Sequence, residues 1–200
     1  MYPELKFFYG PMSSMKTATV LIENHTLRNK SKCVWLLKSA IDNRSGIKTI
    51  ASRAGNLSAE ADAIVSANDS IIQMLEEKKY DYGKYPDIIL IDECQFLSTA
   101  QIEELREIVS FKKIPVYCYG LKTDANSVLF EGSKRLFEIA DSFFEFTTYC
   151  ECGEKAIINA RIDNFGHVIR LNDQIDIGGD DKYQPMCYSC WIKYGGKNGR

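Results

Sequence analysis

Three groups of residues in this 200-residue chain have types and spacings that could do chemistry. The first is Gly10-Pro-Met-Ser-Ser-Met-Lys16-Thr17, which follows the pattern Gly-x-x-x-x-Gly-Lys-Ser/Thr except at Met15. In that pattern successive backbone N–H groups and a helix N-terminus surround a phosphate, the lysine neutralises it and the hydroxyl ligates Mg2+. The second is Asp92-Glu93, two acids closing an apolar run over 88–91. They suit a phosphate loop because a carboxylate from the C-terminal end of a neighbouring strand must hold the metal. The third is Cys150-Glu-Cys152 with Cys187-Tyr-Ser-Cys190, two knuckles that can offer four thiolates to a tetrahedral Zn2+. Each group also has a plainer reading: an ordinary β-turn-α connection, a helix N-cap acid, and free thiols.

The elements that must position these residues are read from apolar patterning. Leu5, Phe7, Phe8 and Tyr9 form a strand that Gly10-Pro11 ends, and Lys16-Thr17 open a helix through Val20, Leu21 and Ile22. Residues 32–37 are a second buried strand, and strand, helix, strand at this length implies a parallel βαβ unit. Residues 39–46 and 49–55 read as polar, Gly-punctuated loop with Asp42, Arg44 and Arg53, whose arginines are either solvated or reach phosphates over the site. An amphipathic helix is expected over 61–77 from Ile64, Ile71, Ile72 and Leu75, broken at Tyr85-Pro86. The strand over 87–92 then carries the acids. Ser98 or Thr99 supplies the cap of the next helix, with Leu105, Ile108 and Val109 on its apolar face, so Asp92 and Glu93 stay available for chemistry. A strand over 114–120 and its loop 121–127 follow; ligands of open α/β sheets sit at that edge. A helix over 133–140 and a short strand over 143–148 complete a mostly parallel sheet with helices on both faces.

From Tyr149 the composition changes. The segment stapled by the cysteines is too small for a sizeable core of its own and needs its metal; a closed four-sulfur site makes that zinc structural. A hairpin is expected from 156–161 and 167–171 around Asn164-Phe-Gly166. Gly178-Gly179 lies in a loop that either clamps a planar ligand through main-chain hydrogen bonds or is a plain connection. His25 and His167 are expected at surface or hairpin positions without an acid or cysteine at ligand spacing. Three domain ranges follow: 1–148 nucleotide-binding, 149–194 zinc-binding with a substrate-enclosing loop, and 195–200 a disordered tail.

Composition narrows the function classes. The net charge of −2 with no basic face gives a duplex nucleic acid no electrostatic footprint. No apolar run approaches the roughly 20 residues of a membrane span, and no export signal is visible, so a cytoplasmic protein is expected. Seven cysteines, an odd number, argue for metal and free thiols rather than disulfides. Cys33 and Cys118 read as buried small hydrophobes. Met15 replaces the loop glycine, and its side chain is expected to crowd the backbone amides and weaken nucleotide binding.

Taken in order and spacing, Gly10 to Thr17, Asp92-Glu-Cys-Gln-Phe-Leu97, Tyr119-Gly-Leu-Lys-Thr-Asp124, Cys150-Glu-Cys-Gly153, Ile177-Gly-Gly179 with Tyr183, and Cys187-Tyr-Ser-Cys190 closely resemble the zinc-containing thymidine kinases of the cytosolic and bacterial type. The likeness covers residues 7–194. It implies transfer of the γ-phosphoryl group of ATP to the 5′-hydroxyl of thymidine, with deoxyuridine a further candidate substrate, Glu93 as general base and Asp92 and Thr17 at Mg2+. Gly10, Pro11, Met12, Ser13, Ser14, Met15, Lys16, Gln95 and Arg53 complete the expected nucleotide site. Met12, Leu121, Ile177, Gly178, Gly179 and Tyr183 would enclose the base, and Cys150, Cys152, Cys187 and Cys190 would hold zinc. The family resemblance also implies a homotetramer. Ser13 and Ala125 depart from the family pattern, Ala125 by removing an aromatic wall of the base site. Against the kinase stand two other readings: a catalytically impaired nucleotide-binding relative with a regulatory role, because of Met15, and a zinc-ribbon nucleic-acid binder, which the lack of a basic stripe disfavours.

Overall fold

The computed structural model describes residues 2–42, 46–52, 55–170 and 182–196. Strands β1 (Leu5–Tyr9), β2 (Val34–Ser39), β5 (Ala63–Val65), β6 (Ile88–Asp92), β7 (Val116–Gly120) and β8 (Ser142–Glu145) form one sheet in the order β5-β2-β6-β7-β1-β8. Every pairing in it is parallel. Strands buried on both faces read as continuous apolar runs, which is why β2, β6 and β7 are buried along their whole length.

Each face has its own core. On one, Leu5, Phe7, Trp35, Leu37, Ile89 and Ile91 meet the apolar sides of α2 (Ile71–Tyr82), α3 (Thr99–Glu107) and α4 (Glu131–Ile139). On the other, Leu36, Leu90, Tyr117 and Tyr119 pack on Val20 and Leu21 of α1 (Lys16–Asn29). Ile50 and Ala61 extend that second core beneath a two-stranded hairpin, β3 (Thr49–Ala51) and β4 (Ser58–Glu60). α3 is started by a capping box between Ser98 and Gln101, as the sequence predicts.

The structure differs from the sequence reading in several places. The stretch read as loop over 49–55 contributes β3, whose three residues leave too short an alternation to register. The predicted helix over 61–77 is cut in two: Ile64 belongs to β5, and the helix begins only at Ile71, where Ser70 accepts from Gln73 N–H and Glu104 accepts from the N–H groups of Ile71 and Ile72. The acid strand β6 is not next to β1. β7 stands between them, so their C-terminal ends are about 10 Å apart at the usual strand spacing, with room for a ligand across the end of β7.

The C-terminal unit holds β9 (Ile158–Arg161) antiparallel to β10 (Tyr183–Met186), followed by α5 (Tyr188–Lys193). The expected hairpin around 164–166 survives as a tight turn closed by an Ile162–Val168 bridge, but the ladder partner of β9 is β10. His167 sits in that turn with Nδ1 3.3 Å from Asp163 Oδ2, so it does have an acid in reach. Gly195 and Gly196, grouped with the tail by composition, instead finish α5: Gly196 N–H donates to Trp191 O at 2.8 Å. No helix among the described residues is long and apolar enough to cross a membrane.

Candidate active site

The loop from Gly10 to Met15 leaves β1 at the C-terminal edge of the sheet and enters α1 through two left-handed residues, Ser13 (φ 58°) and Met15 (φ 67°). That curl turns the start of α1 toward the loop's concave side. Gly10 is needed for space: a Cβ there would lie 2.5 Å from Phe146 O and 2.7 Å from Ser14 Oγ. Met15 is the N-cap of α1 and its side chain is 60% exposed, so the thioether turns to solvent and does not fill the loop. The expected crowding therefore becomes backbone strain, since the left-handed region disfavours any residue with a Cβ. Lys16 folds back, donating from Nζ to Pro11 O at 2.6 Å and Ser14 Oγ at 3.2 Å. Those acceptors hold the ammonium over the loop.

At the end of β6, Asp92 is buried. Its carboxyl is pushed up to about 7, by burial first and then by the negative charge of Glu93, against the pull of the Glu93 backbone N–H and of Lys16; Asp42 pushes the same way as Glu93. Glu93 is also left-handed (φ 55°), a conformation that an acidic side chain keeps only when its surroundings hold it. Its carboxylate accepts from Gln95 Nε2 at 2.5 Å, and Gln95 Oε1 in turn accepts from Leu121 N–H at 3.0 Å. Gln95 is buried and both ends of its amide are occupied, so it is placed to position Glu93, whereas the sequence reading set it against nucleotide. Gly120 makes this possible, because a Cβ there would meet Gln95 Oε1 at 2.6 Å.

Between the loop and the C-terminal unit is a cleft lined by Gly10, Pro11, Lys122, Thr123, Ile157 and Asn159. Asn159, buried on β9, accepts from Met12 N–H at 2.6 Å and so pins the phosphate loop to the cysteine unit. Leu121 and Met12 are half-buried at this edge. Tyr183 stands on β10 with the Arg161 guanidinium 5.3 Å from its ring centre. Ala125 is buried, covered by its neighbours. Phe130 and Phe96 make an edge-to-face pair with ring centres 5.7 Å apart. Arg53, Ile177, Gly178 and Gly179 lie outside the described residues.

The sulfurs of Cys150, Cys152, Cys187 and Cys190 all lie within 4.8 Å of one another, with Cys152 and Cys187 at 3.6 Å. All seven cysteines are free. Four sulfurs 2.3 Å from a central zinc would be about 3.8 Å apart, so the donor set fits a tetrahedral metal and not a disulfide.

A family model described as thymidine kinase matches residues 3–191. The chain belongs to the thymidine kinase family. Among its curated relatives, a thymidine kinase of Vibrio cholerae is 39% identical over 186 residues, 92% of this chain and 94% of that protein. One of Xanthomonas axonopodis pv. citri is 38% identical over 180 residues, 90% of this chain and 85% of that protein. Among solved structures the Pif1 helicase of Candida albicans aligns with a TM-score of 0.43 at 13% identity, over 72% of this chain and 36% of the helicase chain. Membership of the thymidine kinase family makes this chain a phosphotransferase acting on a small nucleoside. Two residues at the thymidine kinase edge escaped the sequence reading. Asn159 was legible only as a polar residue inside an apolar run, and Lys38 only as a lysine just after the apolar run 33–37.

Proposed function

We propose that this thymidine kinase uses ATP, moving its γ-phosphoryl group to the 5′-hydroxyl of thymidine to give thymidine monophosphate. The observation that carries the reading is Glu93, whose carboxylate is held by Gln95 at the mouth of the sheet edge, beside buried Asp92 and across β7 from the phosphate loop. A base must come within hydrogen-bond reach of the hydroxyl it deprotonates, and a carboxylate fixed by a buried amide loses little entropy in doing so. The amides of residues 10–17 would receive the β- and γ-phosphates while Lys16 exchanges its loop acceptors for phosphate oxygens. The crowded negative charge on Asp92, with the hydroxyl of Thr17, suits Mg2+, which when bound neutralises charge on the phosphates.

Met12, Leu121 and Tyr183, with Ile177, Gly178 and Gly179, would enclose the base. Cys150, Cys152, Cys187 and Cys190 would hold a structural Zn2+, and a cytoplasmic setting suits thiols that must stay reduced. A homotetramer belongs to the same proposal and is read by light scattering. A second reading, an impaired regulatory relative, is favoured by the strain at Met15. One assay separates the two: purified protein with labelled thymidine, deoxyuridine and Mg·ATP. Turnover of about 1 s⁻¹ or more supports the kinase. Nucleotide binding without labelled monophosphate overturns it in favour of the second.

A further inference from the structure

Lys38 is the next-to-last residue of β2, after four apolar ones and before Ser39; it is fully buried and faces the same side of the sheet as its cross-strand partner Asp92. A buried ammonium is tolerated only when its donors are met, and a lysine has three. Here Nζ donates to Thr49 O at 2.8 Å and Gly46 O at 3.1 Å, and lies 3.4 Å from Asp42 Oδ2. Those three acceptors come from both ends of one connection. Asp42 stands just after β2, and Gly46 and Thr49 lead into the β3–β4 hairpin. Nothing in the packing of β2 asks for a charge, since the positions before it are filled by Val34, Trp35, Leu36 and Leu37. An apolar side chain would pack there without the desolvation penalty.

We propose that Lys38 is a positioning residue for phosphoryl transfer: it bolts the connection between β2 and β3 down at both ends and thereby holds Asp42 against the acid end of β6. It touches neither substrate nor nucleotide in this reading and acts through Asp42 and the hairpin. Lys38 is the register partner of Asp92 and its ammonium lies 3.4 Å from Asp42 Oδ2, which puts Asp42 at the acid end of β6, so a connection that drifts would change the field where the phosphates bind. The inference rests on the proposed kinase reaction, and one of its tests does not use activity.

The experiment compares full-length wild type with Lys38→Met, Lys38→Arg, Asp42→Asn and the double variant Lys38→Met with Asp42→Asn. Lys38→Met should lower kcat about 10-fold or more with the KM for thymidine unchanged within about twofold, and Asp42→Asn should reproduce that loss. The double variant should be no slower than the worse single one, because both remove the same link. Lys38→Arg should recover part of the rate. Limited proteolysis at the β2–β3 connection should be about 10-fold faster in Lys38→Met, a readout that stands even if the wild type proves inactive on thymidine. If Lys38→Met does not fold, Asp42→Asn carries both measurements. Normal kcat in Lys38→Met or Asp42→Asn, multiplying losses in the double variant, or unchanged proteolysis would each overturn the proposal.

Discussion

The C-terminal edge of the sheet and the unit from Cys150 to Trp191 are held in opposite ways. Behind the sheet edge lie two packed cores, one on each face; the acid loop follows β6, buried along its whole length, and the phosphate loop follows β1, whose Leu5 and Phe7 are buried in one of those cores. Among its described residues the cysteine unit has one small cluster, built on Ala156, Ile158, Ala160, Met186 and Trp191, and two of its buried members, Cys150 and Cys187, belong to the four-sulfur group that could hold a metal. Reactive groups at the sheet edge can therefore sit in strained or charged states that the cores hold in place. The described residues of the cysteine unit offer no such reserve, and on the proposed reading it depends on the metal that its four sulfurs would hold. Asn159 joins the two through one hydrogen bond to Met12, worth about 1 kcal/mol, too little to stabilise the unit alone.

The largest effect should come from the ligand set. Cys187→Ser removes one of four thiolates and also the sulfur that accepts Cys190 N–H at the start of α5. Structural zinc sites contribute on the order of 10 kcal/mol, so metal content should fall from about one equivalent to near zero. Protease should then cut within 150–196 while the sheet stays resistant. Retention of a full equivalent of zinc would collapse the contrast between the two regions.

Next comes Asp92. Burial holds its folded carboxyl up to about 7, above the ordinary carboxylate range, so the folded state binds the proton more tightly than the unfolded one. Stability is thus fully present below about pH 4 and is lost as pH rises toward 7 and beyond, by up to about 4 kcal/mol. Asp92→Asn should make the nucleotide-free protein more stable than wild type at pH 8, by about 1–3 kcal/mol, with the gap closing by pH 5. Denaturation curves at the two pH values decide it; equal stability at pH 8 would show that the cores do not carry this charge. The same substitution should weaken Mg·ATP binding.

Glu93→Gln tests the chemistry directly. The amide keeps the shape and can still meet Gln95 but cannot accept the hydroxyl proton, so kcat should fall roughly 100-fold or more while Mg·ATP affinity stays within about threefold. Near-normal turnover would take the base role away from Glu93 and leave its left-handed backbone without a function.

Most of the sheet could be read in the sequence because parallel strands buried on both faces leave long apolar runs, as at 34–37 and 88–91, and because the Ser98 capping box is a local signal. The three-residue strands β3, β4 and β5 were not legible: at that length alternation cannot be told from a polar loop or from the first turn of a helix. The residues of the candidate site could be picked out where backbone or metal chemistry demands a residue type, as in the loop 10–17, the acids and the cysteines. It was hidden where the role depends on a partner distant in sequence. Asn159 meets Met12 across 147 positions, and Gln95 links Glu93 to Leu121, pairings that only the fold creates.

The smallest effect expected belongs to Met15, and it sharpens what the sheet edge can carry. At φ 67° and ψ 12° the residue is left-handed, which costs a residue with a Cβ about 1–2 kcal/mol and costs glycine far less. Glycine's greater freedom in the unfolded chain takes back part of the gain, so Met15→Gly should stabilise the protein by about 0.5–1 kcal/mol, a rise of roughly 1–4 °C in Tm. If the strain also keeps the loop amides from converging on phosphate, ATP should bind more tightly in the same variant, about tenfold for each hydrogen bond regained to an ionised oxygen. Calorimetry of unfolding and of ATP binding separates the two effects. A rise in Tm with unchanged ATP affinity would mean that the outward thioether leaves the phosphate site intact and the strain is purely structural. A fall in both would mean that the exposed Met15 side chain holds the loop in its working shape, and the sheet edge would then depend on a surface contact as the cysteine unit would depend on its proposed metal.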